Sequence, residues 1–98
     1  SASGPWSVEV VRPGRYRFRL RRRPDAVDRP LRAEEARIRV GDATASTVPE
    51  DGAEEAVLEL ELDAGPTQLR TELTGPGGET RGAYYVWAER IGPRSDSE

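Results

Sequence analysis

Arg15-Tyr16-Arg17-Phe18-Arg19-Leu20-Arg21 alternates arginine with a large apolar side chain without a break. A strand sends successive side chains to opposite faces. This spelling therefore predicts Tyr16, Phe18 and Leu20 in a core and four arginines on the other side. Arg12-Pro13-Gly14 precedes it, with proline pre-set for a turn and glycine free to take positive φ. Trp6-Ser7-Val8-Glu9-Val10 alternates before that turn. The pattern predicts a β-hairpin with one buried and one charged face.

The same two-residue rhythm recurs down the chain. It predicts strands at Trp6–Val11, Arg15–Arg22, Ala36–Val40, Thr44–Val48, Ala56–Leu62, Thr67–Thr74 and Arg81–Ile91. The fourth is short and belongs at a sheet edge. In the fifth, Leu58, Leu60 and Leu62 face inward, and in the sixth Leu69 and Leu73 share a face. Gly41-Asp42, Asp63-Ala64-Gly65-Pro66 and Gly75-Pro76-Gly77-Gly78 read as turns, and Pro49 to Glu54 as an acidic loop. Residues 23–35 hold Pro24 and Pro30 and read as a long loop, with a helical turn around Arg32 to Glu35. No long 3.6-residue periodicity is present, and Gly and Pro recur along the chain. The fold class is all-β: an antiparallel β-sandwich, jelly-roll-like, of about seven strands.

The chain has 98 residues, enough for one domain with a thin core. Hydrophobic residues make up 35% and charged residues 34%, which gives the sandwich an unusually charged skin. All fifteen basic residues are arginine, and lysine, asparagine, histidine, cysteine and methionine are absent, a pattern that fits a GC-rich genome. Residues 1–4 read as a linker or expression scar, 5–91 as the sandwich and 92–98 as a flexible polar tail. The chain as a whole reads as a piece of something longer. No apolar run nears the length of about 20 residues that spans a bilayer, and mean hydropathy is −0.75. A net charge of −3 argues against a nucleic-acid module.

Three constellations invite a functional reading. The first is the arginine face, Arg15, Arg17, Arg19 and Arg21, joined by Arg37 and Arg39 if the third strand lies alongside. Glu9, Glu59, Glu61 and Glu72 have the parity to neutralise it through cross-strand pairs on a solvated face. Alternatively the row is a platform for sulfate or carboxylate groups, which guanidinium binds in bidentate fashion. The second is Ala83-Tyr84-Tyr85-Val86-Trp87-Ala88, apolar on both faces. It is either a central strand covered on both sides or a surface that docks a neighbouring domain or stacks a sugar ring. The third, Glu50-Asp51-Gly52-Ala53-Glu54-Glu55, is acidic, but its spacing matches no EF-hand loop and a solvated loop is the simpler reading.

Catalytic templates find no foothold. Without histidine or cysteine there is no Ser–His–Asp triad, no thiolate nucleophile and no His/Cys zinc site. No Gly-rich loop with lysine cradles a phosphate. The sequence calls for no cofactor and no metal.

Three segments carry a family likeness: Gly4-Pro5-Trp6-Ser7-Val8-Glu9-Val10, Gly14-Arg15-Tyr16-Arg17-Phe18-Arg19-Leu20-Arg21-Arg22-Arg23-Pro24, and Leu62-Asp63-Ala64-Gly65-Pro66-Thr67-Gln68-Leu69 leading to Gly82-Ala83-Tyr84-Tyr85-Val86. Together, from Gly4 to Ile91, they resemble the C-terminal accessory region of bacterial arylsulfatases. The family's Cys/Ser-x-Pro-x-Arg nucleophile motif and its metal-binding residues are absent here, and Arg23 stands where family members often carry an aromatic. The resemblance thus implies a non-catalytic accessory domain that packs on a sulfuric ester hydrolase domain, in a periplasmic or secreted setting. The expected ligand contacts are Arg17, Arg19, Arg21, Arg37 and Arg39 toward a sulfated or acidic polysaccharide. The expected inter-domain or glycan-stacking residues are Trp6, Tyr84, Tyr85 and Trp87. A free-standing carbohydrate-binding module and a purely structural or oligomerisation domain are the rival readings.

Overall fold

The computed structural model describes residues 5–21, 34–75, 77–82 and 85–94. Among these residues eight strands run in chain order: β1 (Trp6–Val10), β2 (Gly14–Arg21), β3 (Glu35–Val40), β4 (Ala43–Thr47), β5 (Ala56–Leu62), β6 (Gly65–Thr74), β7 (Thr80–Arg81) and β8 (Tyr85–Gly92). No helix among the described residues is long and apolar enough to cross a membrane. The strands form two antiparallel sheets. One has the order β1-β6-β3-β4, with β7 also bonded to β6, and the other has the order β5-β2-β8. The chain is an all-β sandwich, five strands against three.

The alternation places the core as its period requires. Phe18 and Leu20 from β2, Leu58, Leu60 and Leu62 from β5, Ala36, Ile38 and Val40 from β3 and Leu69 and Leu73 from β6 all meet between the sheets. Leu20, Ile38 and Leu73 are sealed completely. Tyr16 packs against this cluster half-buried, its ring tilted toward Phe18 at a centroid distance of 6.5 Å. Burying such side chains is the main favourable term in a domain this small. The short β4 is an edge strand of the five-stranded sheet, as its length suggests, and it packs along β5 of the other sheet to close one side of the sandwich. It follows β3 through the two-residue loop Gly41-Asp42, where Gly41 takes φ of 60°, a conformation that favours glycine.

Two expectations need correction. The Trp6–Val10 and Arg15–Arg21 segments do not form a hairpin: β1 pairs with β6, and β2 pairs with β5 and β8. Both edges of β2 are occupied, so the turn between the segments is a corner that carries the chain from one sheet to the other. Two bonds pin that corner. Tyr16 Oη donates to the Arg12 carbonyl at 2.6 Å, and Arg90 Nε donates to the Pro13 carbonyl at 3.0 Å. A tyrosine bonding back a few residues at a sheet-crossing corner is a recurring device of β-sandwiches.

The segment read as one strand from Arg81 to Ile91 is two. Thr80 and Arg81 pair with β6 in the larger sheet, whereas Tyr85–Gly92 pairs with β2 in the smaller. The chain changes layers near the buried Gly82. Glu34 forms a bend and Glu35 opens β3, and the rest of the expected helical turn lies outside the described residues. Gly92 still belongs to β8, and Arg94 donates to Asp63 at 2.8 Å.

Candidate functional site

The outward face of the smaller sheet is built in rows across β5, β2 and β8. The registers align Glu61, Arg15 and Gly92, then Glu59, Arg17 and Glu89, then Val57, Arg19 and Trp87, with Arg21 opposite Tyr85 beyond. Two residues along a strand separate one row from the next, about 6.8 Å.

Most of the arginine row is neutralised. Arg15 meets Glu61 at 3.2 Å and Arg17 meets Glu59 at 3.2 Å, each across a directly paired register position. Arg21 reaches back to the acidic loop, to Glu54 at 3.3 Å and Glu55 at 3.8 Å. Two of the loop's acids, Glu54 and Glu55, are therefore engaged with a cation, and no group of three potential metal-ligating side chains gathers among the described residues. The open Arg17–Glu59 pair contributes no more than about 1 kcal/mol, while the Arg21 side chain is mostly buried. Of the other two expected acids, Glu72 lies opposite Arg37 and Glu9 opposite Pro66.

Arg19 breaks the pattern. Its row neighbours are Val57 and Trp87, not carboxylates, and among the described residues its guanidinium makes no ion pair or hydrogen bond. Val57 is 45% exposed, Trp87 58% and Tyr85 42%. A cationic fork thus stands between two open apolar side chains on the outer sheet face, with a second aromatic one row further on.

Among the described residues β8 is an edge strand bonded to β2 alone, so the covered central strand that its two apolar faces suggest is not what forms there. Val86 turns inward and packs half-buried on the core, while Tyr85 and Trp87 remain in solvent. Tyr84 lies outside the described residues. Trp6 is far from this face, on edge strand β1 of the other sheet, and is 38% exposed. None of Trp6, Tyr85 and Trp87 anchors the core.

Arg37 and Arg39 also belong to the other sheet, on β3, so they do not extend the row headed by Arg15. The candidate arginines divide between the two outer faces of the sandwich. The residue that sequence reading missed is Val57. Its outward parity was legible, but nothing in its neighbourhood announces that it faces Arg19.

No protein-family model, no characterised protein and no solved structure matches this chain.

Proposed function

We propose that this chain is a non-catalytic accessory domain whose smaller sheet presents a binding face to a sulfated or acidic polysaccharide. The observation that carries the reading is Arg19 without a carboxylate partner, set between exposed Val57 and Trp87 in a row where neighbouring arginines are paired. Guanidinium forks a sulfate or carboxylate, and the flanking indole offers a broad apolar surface to the C–H face of a sugar ring. An open sheet face with exposed Val57, Trp87 and Tyr85 suits an extended polymer better than a small enclosed ligand. The resemblance to the accessory region of arylsulfatases supports the same ligand class and a parent hydrolase beside it.

Retention on immobilised dextran sulfate and on neutral dextran, at low and high salt, tests this. The expected result is retention on dextran sulfate that weakens with salt, as screened charge contacts do. Arg19→Gln and Trp87→Ala each weaken it about tenfold or more, the loss of one charge-assisted contact or one buried anchor. Equal retention of both variants, or none of the parent protein on either polymer, overturns the reading. In the second case the same face is better read as the contact to a neighbouring domain.

A further inference from the structure

We infer that the larger sheet carries a second, separate oxyanion site, formed where Arg39 of β3 faces Arg70 of β6. These two are direct partners in the antiparallel register. Directly opposed like charges destabilise a sheet, and their Cβ atoms in such a pair lie only about 4.5–5.5 Å apart. The neighbouring arginine on β3 is handled differently. Arg37 has Glu72 opposite and Glu35 at 3.8 Å on its own strand. Neither Arg39 nor Arg70 forms an ion pair among the described residues.

The pair does not stand on bare surface. A shallow cavity of about 460 Å³ is lined by Arg39, Arg70, Thr67, Gln68 and Asp42, with Pro5 and Gly41 completing it. Arg39 is held in place: its Nε donates to the Gly41 carbonyl at 3.0 Å. That bond leaves its two terminal nitrogens, the prongs that fork an oxyanion, available to the cavity. The turn that supplies this carbonyl is itself tied down, since the Gly41 amide donates to the Gln68 carbonyl at 3.0 Å. A tetrahedral oxyanion, a sulfate or phosphate group, between the two guanidinium groups would convert the repulsion into two charge-assisted contacts. Asp42 on the rim, which pairs with neither arginine, opposes the anion and sets an upper bound on affinity. The site lies on the opposite face from Arg19 and does not depend on the reading of that face.

The test is an NMR titration with sodium sulfate against sodium chloride at matched ionic strength, followed through the Arg70 Nε–H and the Gly41 and Gln68 amide signals. Sulfate is expected to give saturable shifts at these three groups with a midpoint on the order of 1 mM, which is weak binding. Chloride is expected to give none. Arg39→Gln and Arg70→Gln abolish the saturable response, Arg37→Gln and Arg19→Gln preserve it, and Asp42→Asn lowers the midpoint. Competition by dextran sulfate identifies esters on a polymer as the source of the group, and titration by the inorganic ion alone identifies the free ion. Urea unfolding gives an independent readout. In chloride the midpoint of Arg70→Gln lies above that of the parent, because a repulsion is gone. Sulfate raises the parent's midpoint more than the variant's, since a ligand stabilises only the state that binds it. Its general salting effect acts on both equally. Shifts that are linear and shared by all arginines, or equal sulfate stabilisation of parent and variant, overturn the proposal.

Discussion

The hydroxyl of Tyr16 donates to the carbonyl of Arg12 at 2.6 Å, across the corner where the chain leaves one sheet and enters the other. The bond spans four residues and satisfies a carbonyl that no ladder reaches. Tyr16→Phe keeps the ring against Phe18 and removes only this bond. The expected loss is about 0.5–1.5 kcal/mol of stability, measured by urea unfolding with an unchanged slope.

Gly14 opens β2 at the same corner and is buried. A Cβ placed there would lie 2.5 Å from the Gly92 carbonyl oxygen and 2.5 Å from Arg90 Nε. The side chain can swing away, but the backbone oxygen belongs to a bonded partner strand. Gly14→Ala is therefore expected to cost about 1–3 kcal/mol, as overpacked sites do. A denaturation midpoint equal to the parent's would show that the corner has slack the geometry does not reveal.

Phe18 and Arg17 are neighbours with opposite fates. Phe18 is 2% exposed in the core, and Arg17 holds an open pair with Glu59. Phe18→Ala is expected to cost about 3–5 kcal/mol, a large share of the total stability of a domain this size. Arg17→Ala is expected to cost no more than about 1 kcal/mol. If urea melts reverse that order, the two faces of β2 have been assigned the wrong way round.

Trp87 separates stability from binding. Its ring is largely in solvent, so Trp87→Ala should leave the unfolding free energy within about 0.5 kcal/mol of the parent. Retention on dextran sulfate should nevertheless fall. A large loss of stability in this variant would mean the indole is structural, and the platform would lose its aromatic member.

Much of the architecture is legible in the spelling of single strands. Alternation at Arg15–Arg21 and Ala56–Leu62 sorts Phe18, Leu20, Leu58 and Leu60 into the core, because a period of two admits no other face. The Arg15–Glu61 and Arg17–Glu59 ladder follows from the same parity once those strands are neighbours. Which strands become neighbours is not local information. Pro13-Gly14 announces a reversal but cannot say which sheet the chain enters next, and so a corner reads as a hairpin. The run through Tyr85 and Trp87 reads as covered because both faces are apolar, yet β8 ends at an edge. The isolation of Arg19 was hidden for the same reason, since it depends on Val57 and Trp87 arriving from distant parts of the chain.

The connectivity of the smaller sheet has a consequence for how the molecule comes together. Its three strands, β5, β2 and β8, are never consecutive, whereas the larger sheet contains two local hairpins, β3–β4 and β6–β7. Contacts between distant segments carry a loop-closure penalty before they repay it, so this layer is expected to assemble late in folding. No excised peptide could reproduce the row of Val57, Arg19 and Trp87. Capture of a ligand there would report that the whole chain has finished folding.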